Sequence, residues 1–229
     1  TTFTPSLRKA IEKAKTLDIK IIAPGHGPVY RKNPQKIMDD YYRFSQYAEG
    51  AGKNEAVILW GSMYGMTKKA VDYVEGILQR EGVKYGSLEV TRNSESEMVA
   101  TAFKSAGIII AAPTYEYKLF PPVAAILDEL GRKRISGKTA FRFGSYGWSG
   151  GAEKELKEII ERNNMKWDFI ESVEFEGAPK EEDLKKLEAG ILKLIERMKE
   201  KVIECCQHPV HPELSLREGF FNKAAVRVY

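Results

Sequence analysis

Cysteine is nearly missing from this chain. The only two, Cys205 and Cys206, are sequence neighbours, which gives no disulfide framework. A reducing, cytoplasmic setting is therefore expected. Histidine is also scarce, with three in 229 residues: His26, His208 and His211. No apolar run approaches the roughly 20 residues of a membrane span. Thr1 to Lys20 is charged throughout and lacks the apolar core of a signal peptide. Charge of one sign does not dominate: the net charge is +4 and both signs are interspersed, so neither a nucleic-acid groove nor a membrane partner is expected. The chain opens on Thr-Thr and not on Met, as a processed chain or a piece of something longer would.

What is present is an ordinary globular composition, 43% hydrophobic and 30% charged, long enough for one full domain plus an extra segment. Thr4-Pro5 predicts a helix start, with Thr4 as N-cap and Pro5 in the first turn. Ile19 to Ala23 reads as a short strand that runs into the turn-rich Pro24-Gly25-His26-Gly27-Pro28. Pro34 to Tyr47 predicts a second helix, and Gly50 to Asn54 a linker. From Glu55 onward strands and helices alternate. The strands are expected at Ala56–Trp60, Tyr85–Val90, Gly107–Ala112, Thr139–Gly144 and Trp167–Phe175. Helices begin near Thr67, Ser94, Pro121 and Gly151, and a last one runs from about Lys180 to Val202. Ser94-Glu95-Ser96-Glu97 has the form of a capping box. Five strands alternating with helices predict an α/β fold, a five-stranded parallel sheet wound on both faces. The unbroken apolar run Ile108-Ile109-Ile110-Ala111-Ala112 suits a strand covered on both sides.

Ligands bind such sheets at the carboxyl ends of the strands, where the strand order reverses. Three loops at that edge are unusual. Ser62-Met63-Tyr64-Gly65-Met66-Thr67 follows the first strand and opens a helix. Its hydroxyls, its flexible backbone and the helix N-terminus can bind a phosphate without Lys or Arg. It lacks the Gly-x-x-x-x-Gly-Lys-Ser/Thr and Gly-x-Gly-x-x-Gly patterns, which favours a mononucleotide. Pro113-Thr114-Tyr115-Glu116-Tyr117 follows the third strand, where aromatic rings and the Thr114 hydroxyl can meet a planar ligand. Ser145-Tyr146-Gly147-Trp148-Ser149-Gly150 follows the fourth, with glycines for close approach and two aromatics to cover a ring face. Taken singly, each is also explained by an ordinary turn or by surface aromatics. Together, a phosphate cup and two aromatic, glycine-rich loops are the layout for FMN.

These residues resemble the flavodoxin-like domain of the flavodiiron proteins (A-type flavoproteins). Ser62 to Thr67 is similar to that family's phosphate loop, and the other two segments to its ring-binding loops. Ala23 to Pro28 and the helix after it resemble the end of the metallo-β-lactamase-like domain that precedes the flavodoxin domain there. The resemblance implies three regions: 1–49, the remnant of that first domain; 53–203, an FMN-binding flavodoxin-like domain; and 204–229, a tail with no counterpart. It also implies an oxidoreductase component. Its electrons come from a redox donor such as rubredoxin or an NAD(P)H-linked reductase and pass toward a diiron centre that reduces O₂ or NO. A homo-oligomer is implied as well.

By the same resemblance His26 falls on an iron ligand. The family's His-x-Glu-x-Asp-His element is absent, so iron is expected only if a companion chain carrying the lactamase-like domain completes the site. His26 is otherwise an ordinary loop histidine. No side-chain acid, base or nucleophile is required, so no catalytic residue is assigned. Two other readings stand beside this one: a flavodoxin-like NAD(P)H:quinone reductase, and a flavin-free assembly subunit. Lys185-Lys186 and Lys199 to Lys201 read as solvated helix faces. The Cys205-Cys206-Gln207-His208-Pro209-Val210-His211 run has metal-ligating types without the spacing of a structural zinc site.

Overall fold

The computed structural model describes residues 3–48 and 50–202. The tail and its Cys/His run lie outside them. Seven helices and seven strands are assigned among the described residues: α1 (Thr4–Lys15), α2 (Pro34–Tyr47), β1 (Lys53–Trp60), α3 (Met66–Arg80), β2 (Lys84–Glu89), α4 (Glu95–Lys104), β3 (Ser105–Ala111), β4 (Thr114–Tyr115), β5 (Lys118–Leu119), α5 (Pro121–Arg132), β6 (Thr139–Tyr146), α6 (Ala152–Arg162), β7 (Asp168–Glu176) and α7 (Glu181–Lys199). The main sheet has the order β2-β1-β3-β6-β7, and every pairing in it is parallel. This is the flavodoxin-like α/β fold that the strand–helix alternation predicts.

Alternation along each strand divides the apolar side chains between two layers. Ile58, Trp60, Ile109, Phe141 and Phe143 face α3 and α7, while Val57, Leu59, Ile108 and Ile110 face α4, α5 and α6. β3 is buried along its whole length, as a central parallel strand covered on both faces must be. The edge strand β7 is buried at Ile170, Val173 and Phe175 and exposed at Glu171 and Glu176.

The N-terminal segment docks at the amino ends of the strands. Tyr47 meets the Phe103 ring edge-on at 5.8 Å. Lys138, fully buried just before β6, donates to the carbonyls of Ala51 (2.7 Å) and Phe103 (2.9 Å). Burial first, and the nearby Lys201 second, push the Lys138 ammonium down to about 7. The Gly52 N–H donates to the Lys201 carbonyl at 3.0 Å and so ties the entry of β1 to the end of α7.

Three local expectations change, and the expected cap at Ser94 forms. Thr4 is not the cap of α1: Phe3 occupies that position, and Thr4 is the buried first helical residue. Ile19 to Ala23 is not a strand. Ile22 makes one antiparallel bridge to Tyr30, and the pairing extends no further. Lys53 and Asn54 belong to β1 and not to a linker. At Ser94 the hydroxyl accepts from the Glu97 N–H at 3.3 Å and caps α4.

Candidate functional site

The sheet order reverses between β1 and β3. β1 continues to β2 on one side and β3 to β6 on the other. Their carboxyl ends lie level, since the Gly61 N–H donates to the Ala111 carbonyl (2.9 Å) and the Ala112 N–H to the Phe143 carbonyl (3.0 Å). All three unusual loops leave from this edge.

The first loop turns on Gly65, which adopts φ +80° as the N-cap of α3. That left-handed conformation suits glycine. The cap has no side-chain hydrogen bond, so the first-turn N–H groups of α3 are not claimed by it. The Ser62 hydroxyl accepts from the Gly65 N–H at 3.0 Å, which shapes the turn and leaves its own O–H to donate. Thr67 is fully buried, and its hydroxyl shares a 2.9 Å hydrogen bond with that of Ser145. One proton serves that bond, so the other hydroxyl of the pair keeps a donor. Tyr64 is 85% exposed, and Met63 is exposed beside it.

The second loop is a hairpin that sequence reasoning did not identify. β4 and β5 pair antiparallel around Glu116 and Tyr117, both at positive φ (47° and 62°). Two-residue hairpins of this hand favour Asn-Gly or Asp-Gly, so Glu-Tyr carried no turn signal. From α6, Glu155 accepts from the Leu119 N–H at 2.6 Å and fixes the hairpin's return strand. The Phe120 ring lies where a side chain at Gly61 would be, with ring atoms 2.6–2.7 Å from that Cβ position, so loops one and two are in contact. The Thr114 Oγ1 is buried and makes no hydrogen bond among the described residues. An unsatisfied buried hydroxyl costs about 1–3 kcal/mol, a cost that a ligand acceptor or donor at this point removes.

The third loop carries Trp148 fully exposed. Gly151 closes the loop at φ +146°, where a Cβ would lie 2.3 Å from the Tyr117 carbonyl oxygen. Loops two and three therefore touch as well. Tyr146 ends β6 and is paired in register with Glu176. It lines an open groove with Glu174, Phe175 and the start of α7, on the β7 side of the third loop.

The predicted residues of all three loops thus share one edge, with Thr67, Ser145, Phe120 and Gly151 holding the loops together. Glu116 and Tyr117, part of the second loop as read from the sequence, form its turn, and Glu155 is the addition from the structure. Trp148, Tyr64, Tyr117 and Tyr115 are all exposed on loops of this edge, and exposed aromatics there suit a flat apolar partner. The open helix start, the orphaned Thr114 hydroxyl and the bare indole fit a phosphate-bearing planar ring. His26 is exposed in the turn between Ile22 and Tyr30. No group of three or more His, Cys, Asp or Glu that could hold a metal occurs among the described residues, so these residues do not fit a diiron centre by themselves. No described helix is long and apolar enough to cross a membrane.

No family model matches the chain. It is 32% identical over 177 residues to an uncharacterized protein of Methanocaldococcus jannaschii, covering 77% of this chain and 44% of the relative. It is 30% identical over 170 residues to a nitric oxide reductase of Moorella thermoacetica, covering 74% and 42%. An anaerobic nitric oxide reductase flavorubredoxin of Vibrio vulnificus is 32% identical over 138 residues, covering 59% and 27%. The chain therefore spans less than half the length of these relatives. Among solved structures, the rubredoxin oxygen:oxidoreductase of Desulfovibrio gigas superposes with a TM-score of 0.77 at 24% identity, over 87% of this chain and 50% of that one. The flavodiiron protein of Giardia intestinalis gives 0.73 at 25% identity, over 87% and 49%. An archaeal flavodoxin gives 0.54 at 22% identity, over 63% of this chain and 99% of its own.

Proposed function

The homologues of this chain are flavodiiron proteins, and we propose that it is the FMN-binding electron-transfer module of such a protein. The observation that carries the reading is the edge itself. An uncapped helix start, an unsatisfied Thr114 hydroxyl and a fully exposed Trp148 converge where the strand order reverses. In this reading the N–H groups at the start of α3, with Ser62 and Thr67, receive the phosphate. Met63, Tyr64, Gly65 and Met66 form the rest of the cup. Pro113, Thr114 and Tyr115 border the ring on one side, and Ser145, Tyr146, Gly147, Trp148, Ser149 and Gly150 border it on the other. When bound, FMN supplies the redox chemistry, and the chain binds it, orients it and limits water at its faces. No proton transfer by a side chain is needed.

The flavodiiron structures match more of the chain than the flavodoxin does, 87% against 63%. That difference supports the reading of residues 1–49 as the end of a preceding lactamase-like domain. Electrons arrive from a redox protein such as rubredoxin, or from an NAD(P)H-linked reductase. No step through iron is assigned to this chain. His26 takes up an iron-ligand role only where a companion chain supplies the remaining ligands.

Anaerobic reduction of the FMN-loaded chain, followed by mixing with an oxidised one-electron acceptor protein, tests the assignment. Bleaching of the flavin spectrum and its stoichiometric return on mixing are expected. A flavin that is reduced yet cannot pass electrons to a protein acceptor rules out a transfer module.

A further inference from the structure

Arg142 is the largest fully buried side chain among the described residues, set in β6 between Phe141 and Phe143. Its Nη1 donates to Glu174 Oε1 of β7 at 2.5 Å, and its Nη2 donates to the Ala112 carbonyl at 3.3 Å. Its Nε is buried and makes no hydrogen bond among the described residues. Burying a charge pair usually gains little over packing apolar groups of the same size. Stability of the fold is therefore a poor reason for an arginine in the middle of an apolar strand.

The contacts of the pair give a better one. Ala112 is the residue from which Pro113-Thr114-Tyr115 leaves the sheet. Glu174 reaches the third loop, since its Oε2 lies 2.7 Å from where a Cβ on Gly150 would be. The same guanidinium lies under Gly144, with Nη2 3.2 Å from that residue's Cβ position, one residue before Ser145. One buried cation thus braces the root of the second loop directly and the end of the third loop through its carboxylate.

We propose that Arg142 and Glu174 form a positioning pair for the two ring-facing loops, and that their balanced charges hold the field beneath the flavin ring near neutral. This rests on the FMN reading above. Reduction by two electrons with uptake of one proton leaves the ring more negative. A net positive charge beneath it favours the reduced form, and a net negative charge the oxidised form. Removing either partner alone uncovers the charge of the other. Glu174 is 28% exposed and can turn to water, whereas Arg142 cannot, so losing Glu174 has the larger electrostatic effect.

The test is the two-electron midpoint potential and the FMN dissociation constant of the reconstituted chain. The variants are Arg142→Met, Glu174→Gln and the double variant. The expected result is a lower potential in Arg142→Met, a higher one in Glu174→Gln, and a value close to the parent in the double variant. Each single variant should also bind FMN more weakly, on the order of tenfold. Simple loosening of the loops would move both single variants the same way. Shifts of the same sign, or potentials and affinities equal to the parent, overturn the pair proposal and leave FMN binding intact. A parent chain that takes up no FMN removes the FMN reading, and the pair proposal with it. If Arg142→Met does not fold, Glu174→Gln against the double variant carries the comparison: a higher potential in Glu174→Gln supports the proposal, and equal potentials overturn it.

Discussion

The hydroxyls of Thr67 and Ser145 lie 2.9 Å apart, joining residues 78 positions apart in sequence at the site. One belongs to the start of α3, at the proposed phosphate cup, and the other opens the loop that carries Trp148. Thr67→Val keeps the shape and removes the hydrogen bond. Loss of one hydrogen bond at a charged ligand costs about 1.5–3 kcal/mol, so FMN affinity should fall roughly tenfold to a hundredfold. Ser62→Ala should act in the same direction, because it removes both the O–H that Ser62 keeps free to donate and the acceptor that shapes the Gly65 turn. Fluorescence titration with FMN checks both, and unchanged affinities would place the phosphate elsewhere.

Trp148 should report the ligand directly. Its indole is fully exposed, whereas Trp60 donates to Ser87 Oγ and Trp167 to the Ile135 carbonyl from within the core. Quenching on FMN addition should disappear in Trp148→Leu and persist when either core tryptophan is replaced by Phe. A quench that survives Trp148→Leu would reassign the ring-facing loop.

Contact between the second and third loops depends on the missing side chain of Gly151. In Gly151→Ala the new methyl meets the Tyr117 carbonyl, and the backbone sits where L side chains are strained. Destabilisation of about 1–3 kcal/mol is expected, with weaker FMN binding as the hairpin shifts. Urea unfolding and FMN titration on the same variant read the two effects separately.

Lys138 gives the stability a pH dependence. Its ordinary value is 10.5, and burial lowers it to about 7 in the folded chain. Between those values the unfolded chain holds a proton that the folded chain has released, so stability at this site rises with pH across that window. The cost of the buried charge is at its full size below about pH 7. Between about pH 7 and pH 8.5 the gain is on the order of 1–2 kcal/mol. Urea midpoints of the parent against Lys138→Met should show the rise in the parent and a flatter profile in the variant. Identical slopes would contradict the assignment.

Much of the fold was legible because buried parallel strands need continuous apolar runs. Ile108-Ile109-Ile110 could hardly be anything but a central strand once helical segments flanked it. The candidate site was legible at the level of loops, since glycine, hydroxyl and aromatic residues cluster at three strand ends. What stayed hidden depends on partners distant in sequence. The Thr67–Ser145 bond, the Glu155 brace and the Arg142–Glu174 pair have no local signature beyond one arginine in an apolar strand. The β4–β5 hairpin was hidden for another reason: its turn uses Glu116 and Tyr117 at positive φ, where the usual glycine or asparagine marker is missing. Thr4 misled because Phe3 takes the cap position one residue earlier, and Ile19 to Ala23 because its β-prone run pairs only at the single bridge from Ile22 to Tyr30.

The central claim is that one edge of this sheet holds FMN. Flavin released by heat from the reconstituted, desalted chain, identified by chromatography and quantified against protein, tests it most directly. FMN at one per chain is expected after incubation with a mixture of FMN and FAD. FAD in its place, or no retained flavin, would contradict it.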